Sequence, residues 1–223
     1  LPDGWSLPAC VGGMGVTVGG AVSNNVHGKD AWRVGNFGDH VIELKLLTAA
    51  GEQLAVSRQT TPELFQAVIG GIGLLGVIVE ATLQLERVPS PFVEVTTTPV
   101  RHVREWVDVF EQRKGDVDFM VAWVDAFGSG RQLGRGVVTT ARWVSSTRPL
   151  APEHLTRSLR MPRRVFGLLP ARATWSAVRP LYGRTLMRQA NAVRYRLATW
   201  QQKTRCLQLF TDFLFMHNKI PDL

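Results

Sequence analysis

Cysteine occurs only twice in the 223 residues, at Cys10 and Cys206, which excludes a disulfide framework and the clustered spacing of a zinc site. A pair of reduced thiols is the default expectation. Long apolar runs are missing too: none approaches the roughly 20 residues that a membrane-spanning helix needs. The opening LPDGWSLPAC has neither a basic n-region nor an initiator methionine. Helix-turn-helix, zinc-finger and RRM signatures are also absent, and nucleic acid is not expected as a partner. Acidic residues are scarce in one half alone. Up to residue 150 there are 13 Lys plus Arg against 15 Asp plus Glu, a net −2; from residue 151 onward 13 stand against 3, a net +10. Arginine dominates that half, and its planar fork suits phosphate. An anionic substrate, an anionic membrane surface and a merely solvated face all remain compatible with this.

What is present is enough for real cores. The chain is 45% hydrophobic and 20% charged, sufficient for one large or two modest globular domains. Its most unusual stretch is VGGMGVTVGGAVSNNVHGK, Val11 to Lys29, with Gly12, Gly13, Gly15, Gly19 and Gly20 crowded before Ala21. Each glycine costs backbone entropy and buries no side chain, so ordinary packing does not explain the run. Bare N–H groups in such a loop suit an anion such as a pyrophosphate, and a series of tight turns is the structural alternative. No Gly-Lys-Ser/Thr follows, which excludes a Walker loop. No helical apolar pattern opens after Gly15, which argues against a Rossmann strand, loop and helix. Ser23, Asn24, Asn25, His27 and Lys29 then place five polar side chains within seven residues, the composition of a site.

Val16 to Lys29 matches the form V-T-V-G-G-A-(I/V)-x-x-x-(I/V)-H-G-K. The stretch thereby resembles the second flavin-binding segment of flavoenzymes of the vanillyl-alcohol-oxidase type, and within them the decaprenylphosphoryl-ribose oxidases and the sugar-alcohol oxidases. The resemblance implies a PCMH-type FAD-binding domain with FAD as cofactor. It also implies that Gly12, Thr17, Val18, Gly19, Gly20, Asn24, Asn25, Val26 and His27 contact FAD, largely through the main chain, and that His27 and Lys29 face the reacting end. In those enzymes a small residue is common where Asn24 stands and Asn or His where Asp30 stands; Asp30 would partly neutralise Lys29.

Further along, DAWRVGNFGDH reads as a surface loop pinned by Trp32 and Phe37, with His40 structural. Val41 to Leu46 and Gln53 to Val56 predict a hairpin around Ala50-Gly51-Glu52. Thr61-Pro62-Glu63 predicts a helix start with Thr61 as N-cap, burying Leu64, Phe65 and Val68 before Gly70-Gly71 ends it. Val77 to Leu85 reads as a strand. The succession TPELF then GGIGLLGVI again resembles the family, and the resemblance assigns adenine binding to the main chain of Val77.

Val88-Pro89-Ser90-Pro91 is the boundary, giving domains at residues 1–88 and 91–223. In the second, Phe92 to Thr98 reads as a strand and Val103 to Lys114 as a helix with Val103, Trp106, Val107 and Phe110 inward. Phe119 to Asp125 and Leu133 to Ala141 read as two strands of one sheet. Residues 145–164 read as a basic loop, 179–195 stay open between helix and irregular chain, and Leu207 to Phe215 reads as a last strand. The fold class is α+β: the C-terminal part of a PCMH-type FAD-binding domain, then an α+β substrate (cap) domain with an antiparallel sheet. The pattern around AWVD and LGRG resembles the substrate domain of the decaprenylphosphoryl-ribose oxidases, which makes Trp123 a pocket candidate; a core tryptophan is the alternative.

By the same resemblance the chain is expected to be the middle of a longer enzyme, without the first flavin segment and the last part of the cap domain. The expected activity is oxidation of a secondary alcohol of a sugar, the 2′-hydroxyl of a polyprenyl-phosphoryl ribose, by hydride transfer to flavin N5. A sugar-alcohol oxidase and a non-catalytic module that has lost its flavin are the alternatives. Expected partners are a small-molecule or lipid-linked sugar, an epimerase or reductase, and a membrane face met peripherally by the basic domain on the cytoplasmic or periplasmic side. No metal is expected.

Overall fold

In the computed structural model, residues 3–13, 15–145, 164–165, 169–170, 183–200 and 205–215 are described. They fall into two compact units, Leu1–Val88 and Pro89–Leu223.

The first unit opens with a short strand β1 (Trp5–Ser6) that pairs antiparallel with β5 (Glu86–Arg87). Between them lie α1 (Val18–Ser23), α2 (Ala31–Val34), a 3-10 turn at Phe37–His40, β2 (Val41–Leu47), β3 (Gln53–Ser57), α3 (Pro62–Val68) and β4 (Val77–Leu83). Three strands form an antiparallel sheet in the order β3-β2-β4, with β2 in the middle. The predicted hairpin is β2 and β3, closed at Gly51, whose φ of 83° few other residues adopt without strain. Leu44 and Leu46 of β2 meet Val22, Val56, Phe65 and Val68 in one core. Each such side chain contributes about 1.5–3 kcal/mol by leaving water.

Several expectations shift here for physical reasons. Residues Val18–Ser23 do form a helix, although only six residues long, because Thr17 caps it and Ala21 and Val22 reach the core. Residues 30–40 are two short helical turns rather than an open loop; Phe37 is buried and pins them, while Trp32 is exposed. His40 is structural, its Nε2 2.9 Å from the Val34 carbonyl. Thr61 occupies the N-cap position of α3, but its hydroxyl accepts from the Ser57 amide instead of from the helix. The strand begun at Val77 stops at Leu83.

The second unit holds β6 (Phe92–Val100), a 3-10 turn at Val103–Glu105, α4 (Trp106–Arg113), β7 (Phe119–Val124), β8 (Gly136–Trp143), the short pair β9 (Arg164–Val165) and β10 (Leu169–Pro170), α5 (Arg184–Trp200), β11 (Arg205–Leu209) and α6 (Phe210–Leu214). Its antiparallel sheet has the order β11-β6-β8-β7. Ser90 holds the start: its hydroxyl accepts from the Phe92 amide and donates to the Val144 carbonyl. Both units are therefore mixtures of helix and antiparallel sheet, an α+β architecture.

Here too the chain departs from the expected outline. Because the helix proper begins only at Trp106, Val103 and Val107 are exposed and Trp106 and Phe110 carry the packing. The strand expected from Leu133 begins at Gly136, after a 3-10 turn at Gly130–Gln132. The last expected strand is β11 followed by a helical turn, since Phe210, Phe213 and Leu214 recur at helical spacing and are buried. Phe210 and Phe213 pack on Phe119, with ring centroids 5.1 and 5.9 Å apart. The open stretch at 179–195 resolves into α5 from Arg184 on, whereas most of the basic loop lies outside the described residues.

Candidate functional site

The glycine-rich loop runs into α1, and Thr17 decides which of its amides are spoken for. Thr17 Oγ1 accepts from the Gly20 amide at 3.0 Å and its carbonyl accepts from Ala21 at 2.9 Å. Among the described residues, the Val18 and Gly19 amides meet no acceptor. A Cβ built on Gly15 or Gly19 would find nothing within 4 Å. Val16 and Val18 are about half exposed beside them, and Gly12 is half-buried at the loop's start. The loop is thus open on one side and offers unsatisfied N–H donors there, which fits a diphosphate lying against it.

The next three residues fasten this loop to its neighbours. Asn24 donates from Nδ2 to the Gly20 carbonyl at 2.9 Å. Asn25, at φ 43°, accepts from the Gly38 amide through Oδ1 at 3.0 Å, so its side chain holds the 36–38 turn. Val26 donates to the Ala21 carbonyl and accepts from the Phe37 amide. The second glycine segment comes to the same place: Gly70 donates to Val22 O at 3.0 Å and Ile72 to Ser23 O at 2.8 Å. Both segments singled out in the sequence therefore meet at the C-terminal end of α1. From there Ile72, Leu74, Leu75, Val77 and Val79 form an exposed apolar ridge, with Val77 63% exposed at the head of β4. A ridge of this kind marks a surface meant to be covered.

His27 is exposed, its Nδ1 3.3 Å from the Gly28 carbonyl, and its backbone bridges to Asn36. Lys29 is half-buried, and that burial lowers its pKa from 10.5 to about 8. Asp30, next to it, is buried with Oδ1 lacking any hydrogen-bond partner among the described residues. Burial raises its pKa, opposed by backbone hydrogen bonds at Asp30 and Ala9 and by the charges of Arg33 and His40. Gly28 has no room for a side chain, since a Cβ there would stand 2.2 Å from Asp30 Oδ1 and 2.9 Å from the backbone at Ala9 and Cys10.

In the second unit, Trp123 sits half-buried near the end of β7, and the Arg194 guanidinium of α5 lies 4.7 Å from its ring centroid. Two residues on, Asp125 is buried and accepts from Arg135 Nε at 2.8 Å, Asn191 Nδ2 at 2.7 Å and the Phe127 amide at 3.1 Å. Burial alone would raise the Asp125 pKa; these hydrogen bonds and the Arg135 charge outweigh it and hold the carboxyl below its usual range. Sequence reasoning singled out Trp123 but missed Arg194 and this network. The one available signal was that Asp125 and Arg135 are the charged members of the two short patterns AWVD and LGRG.

Comparison with known proteins follows the same lines. Residues 2–57 match the FAD binding domain family. The chain is 38% identical over 145 residues to an uncharacterized protein in the mprA 5′ region of Streptomyces coelicolor, covering 63% of this chain and 38% of that protein. It is 32% identical over 145 residues to decaprenylphosphoryl-beta-D-ribose oxidase of Mycolicibacterium smegmatis, covering 62% of this chain and 31% of that one. Over 75 residues it is 43% identical to cytokinin dehydrogenase 2 of Arabidopsis thaliana, covering 34% of this chain and 15% of the relative. The chain thus spans less than two-fifths of the length of these relatives. With a loop whose open amides suit a dinucleotide, and with residues 2–57 matching the FAD binding domain, FAD is the cofactor of this chain.

Proposed function

We propose that this chain is the middle of an alcohol oxidoreductase, comprising the second half of its FAD-binding domain at residues 1–88 and part of its substrate domain from residue 91. The reaction proposed is oxidation of a secondary hydroxyl on a sugar, with the 2′-hydroxyl of a polyprenyl-phosphoryl ribose as substrate. The observation that carries the reading is that the amides of Val18 and Gly19 meet no acceptor among the described residues, beside the open faces of Gly15 and Gly19. When bound, FAD supplies the hydride acceptor; the protein supplies position and charge.

Val18 and Gly19 would hold the diphosphate, with Gly12, Thr17 and Gly20 shaping the loop and Val77 beside the adenine. Asn24, Asn25 and Val26 keep that loop in place through the hydrogen bonds already described. If His27 donates from Nδ1 to the Gly28 carbonyl, Nε2 keeps its lone pair and is ready to take the proton of the substrate hydroxyl. Lys29, with its pKa near 8, is a cation at pH 7 that steadies a developing alkoxide. Trp123, stiffened by Arg194, offers an aromatic wall to a sugar ring. The net +10 of the residues after 150 suits a phosphorylated substrate and peripheral contact with an anionic membrane face.

The test uses the full-length protein that carries this chain. Yellow flavin absorbance, together with turnover of a polyprenyl-phosphoryl ribose and an artificial electron acceptor, supports the reading. Turnover of free polyols with oxygen, or of a cytokinin, would redirect the substrate assignment. Protein without flavin absorbance would leave a non-catalytic module. His27→Ala is expected to keep its flavin and lose at least about tenfold in kcat, within the range of general base catalysis; normal turnover removes His27 from the mechanism.

A further inference from the structure

We infer that the second unit carries an oxyanion site for a phosphate group, built by Arg188 and Arg196 of α5 around the Asp125–Arg135 pair. The cavity has a volume of about 260 Å3 and is lined by Arg135, Arg188 and Arg196, with Gln132, Gln189 and Phe127. At about 30 Å3 per water molecule, that leaves room for a phosphate and a small substituent. Asp125 is the sole carboxylate in the lining among the described residues, and it is already engaged. Oδ1 accepts from Asn191 and from the Phe127 amide, and Oδ2 accepts from Arg135. One arginine is thereby neutralised, and two have no carboxylate partner among the described residues.

The helix makes this arrangement regular. Arg188, Ala192 and Arg196 follow one another at four-residue spacing and line the cavity, while Asn191 and Tyr195, one residue before Ala192 and Arg196, turn to Asp125 and Arg135. Arg135 is held on both sides, by Asp125 and by the Tyr195 ring 5.4 Å from its Cζ. No carboxylate among the described residues pairs with Arg188 or Arg196, and both are exposed at the mouth. Two guanidinium groups without a carboxylate partner among the described residues line one cavity with glutamine amides, which suits a multiply charged, oxygen-rich anion such as a phosphate. The site stands on the second unit alone, so a protein that proved to bind no flavin would leave it intact.

The experiment is calorimetric titration of the full-length protein with inorganic phosphate at low ionic strength. Arg188→Gln and Arg196→Gln are each expected to weaken binding about tenfold or more, as the loss of one charge-assisted hydrogen bond does, and added salt to weaken the wild type further. Arg184→Gln, on the same helix but outside the cavity, is expected to bind as the wild type does. Circular dichroism of each variant separates lost binding from lost folding, since glutamine is a good helix former. Two further arms identify the source of the phosphate. Competition by ribose 5-phosphate, lost in Arg188→Gln, means a soluble phosphate ester. Co-sedimentation with phosphatidylcholine vesicles containing a polyprenyl monophosphate, lost in the same variant, means a lipid headgroup. Phosphate binding unchanged in both variants, or no phosphate ester bound in either arm, overturns the proposal.

Discussion

Asp125 and Arg135 meet at a single oxygen: Arg135 Nε and Nη2 each lie 2.8 Å from Asp125 Oδ2, with side-chain exposures of 1% for the aspartate and 13% for the arginine. The strand end that carries Trp123 and the loop that leads into β8 are joined by this contact, and Asn191 extends it to α5.

A buried pair broken from one side leaves an uncompensated charge, so Arg135→Met is expected to destabilise the second unit by about 3–5 kcal/mol. The double variant Asp125→Leu/Arg135→Met is expected to recover most of that. Hydrogen exchange in α5 and β7 reads both. The folded Asp125 carboxyl lies below its unfolded value of 3.8, so its stabilisation is present above that pH and is lost as the pH falls through the folded value. Acid unfolding of this unit is expected to lose that component in Asp125→Asn.

Gly19→Ala separates a ligand role from a structural one. Its Cβ meets no protein atom within 4 Å, and alanine in a helix is favoured over glycine by roughly 0.5–1 kcal/mol, so stability is expected to hold or rise. Flavin content, read by absorbance, is expected to fall because the new methyl occupies the open face. Gly28→Ala is expected to behave in the opposite way, losing stability outright through its collision with Asp30 and the backbone at Ala9 and Cys10.

Lys29 predicts a pH dependence in the alkaline range. Its folded pKa near 8 lies below the unfolded 10.5, so the unfolded chain binds more protons between those values. Stability is therefore expected to rise with pH from about 8 to 10.5, and thermal melts of Lys29→Met are expected to lose that rise. If the cation acts in turnover, kcat of the wild type falls as the pH passes 8.

Arg194 covers the ring of Trp123, and a cation over an aromatic face contributes about 0.5–2 kcal/mol. Arg194→Ala is expected to lower the melting temperature of the second unit modestly and to raise KM for a sugar substrate while flavin content stays unchanged. An unchanged KM would make Trp123 a packing residue.

Much of the outline was legible because it rests on local chemistry. The hairpin around Gly51, the Pro62 helix start and the antiparallel pairing of the second unit follow from turn residues and from alternation along single strands. The errors lie where neighbours overrule local pattern. Leu207 to Phe215 has the composition of a strand, yet Phe210 and Phe213 find their partner in Phe119, far away in sequence, and the chain coils to reach it. Val18–Ser23 lacks a long apolar period, yet a cap at Thr17 and two buried residues suffice for one and a half turns.

The sequence by itself determined the glycine-rich loop, its HGK ending and the charge contrast between the two halves, since these are properties of residue type and spacing. Only the tertiary structure decided which amides of that loop stay open, that Gly70 and Ile72 dock on the end of α1, and that Asp125, Arg135 and Asn191 share one network. The bonds from Gly70 and Ile72 to α1 and from Asn191 to Asp125 join residues far apart in sequence and leave no period or motif in the chain; their identity is set by how strands and helices stack once water is excluded, and burial then fixes which charges are answered and which remain available to a ligand.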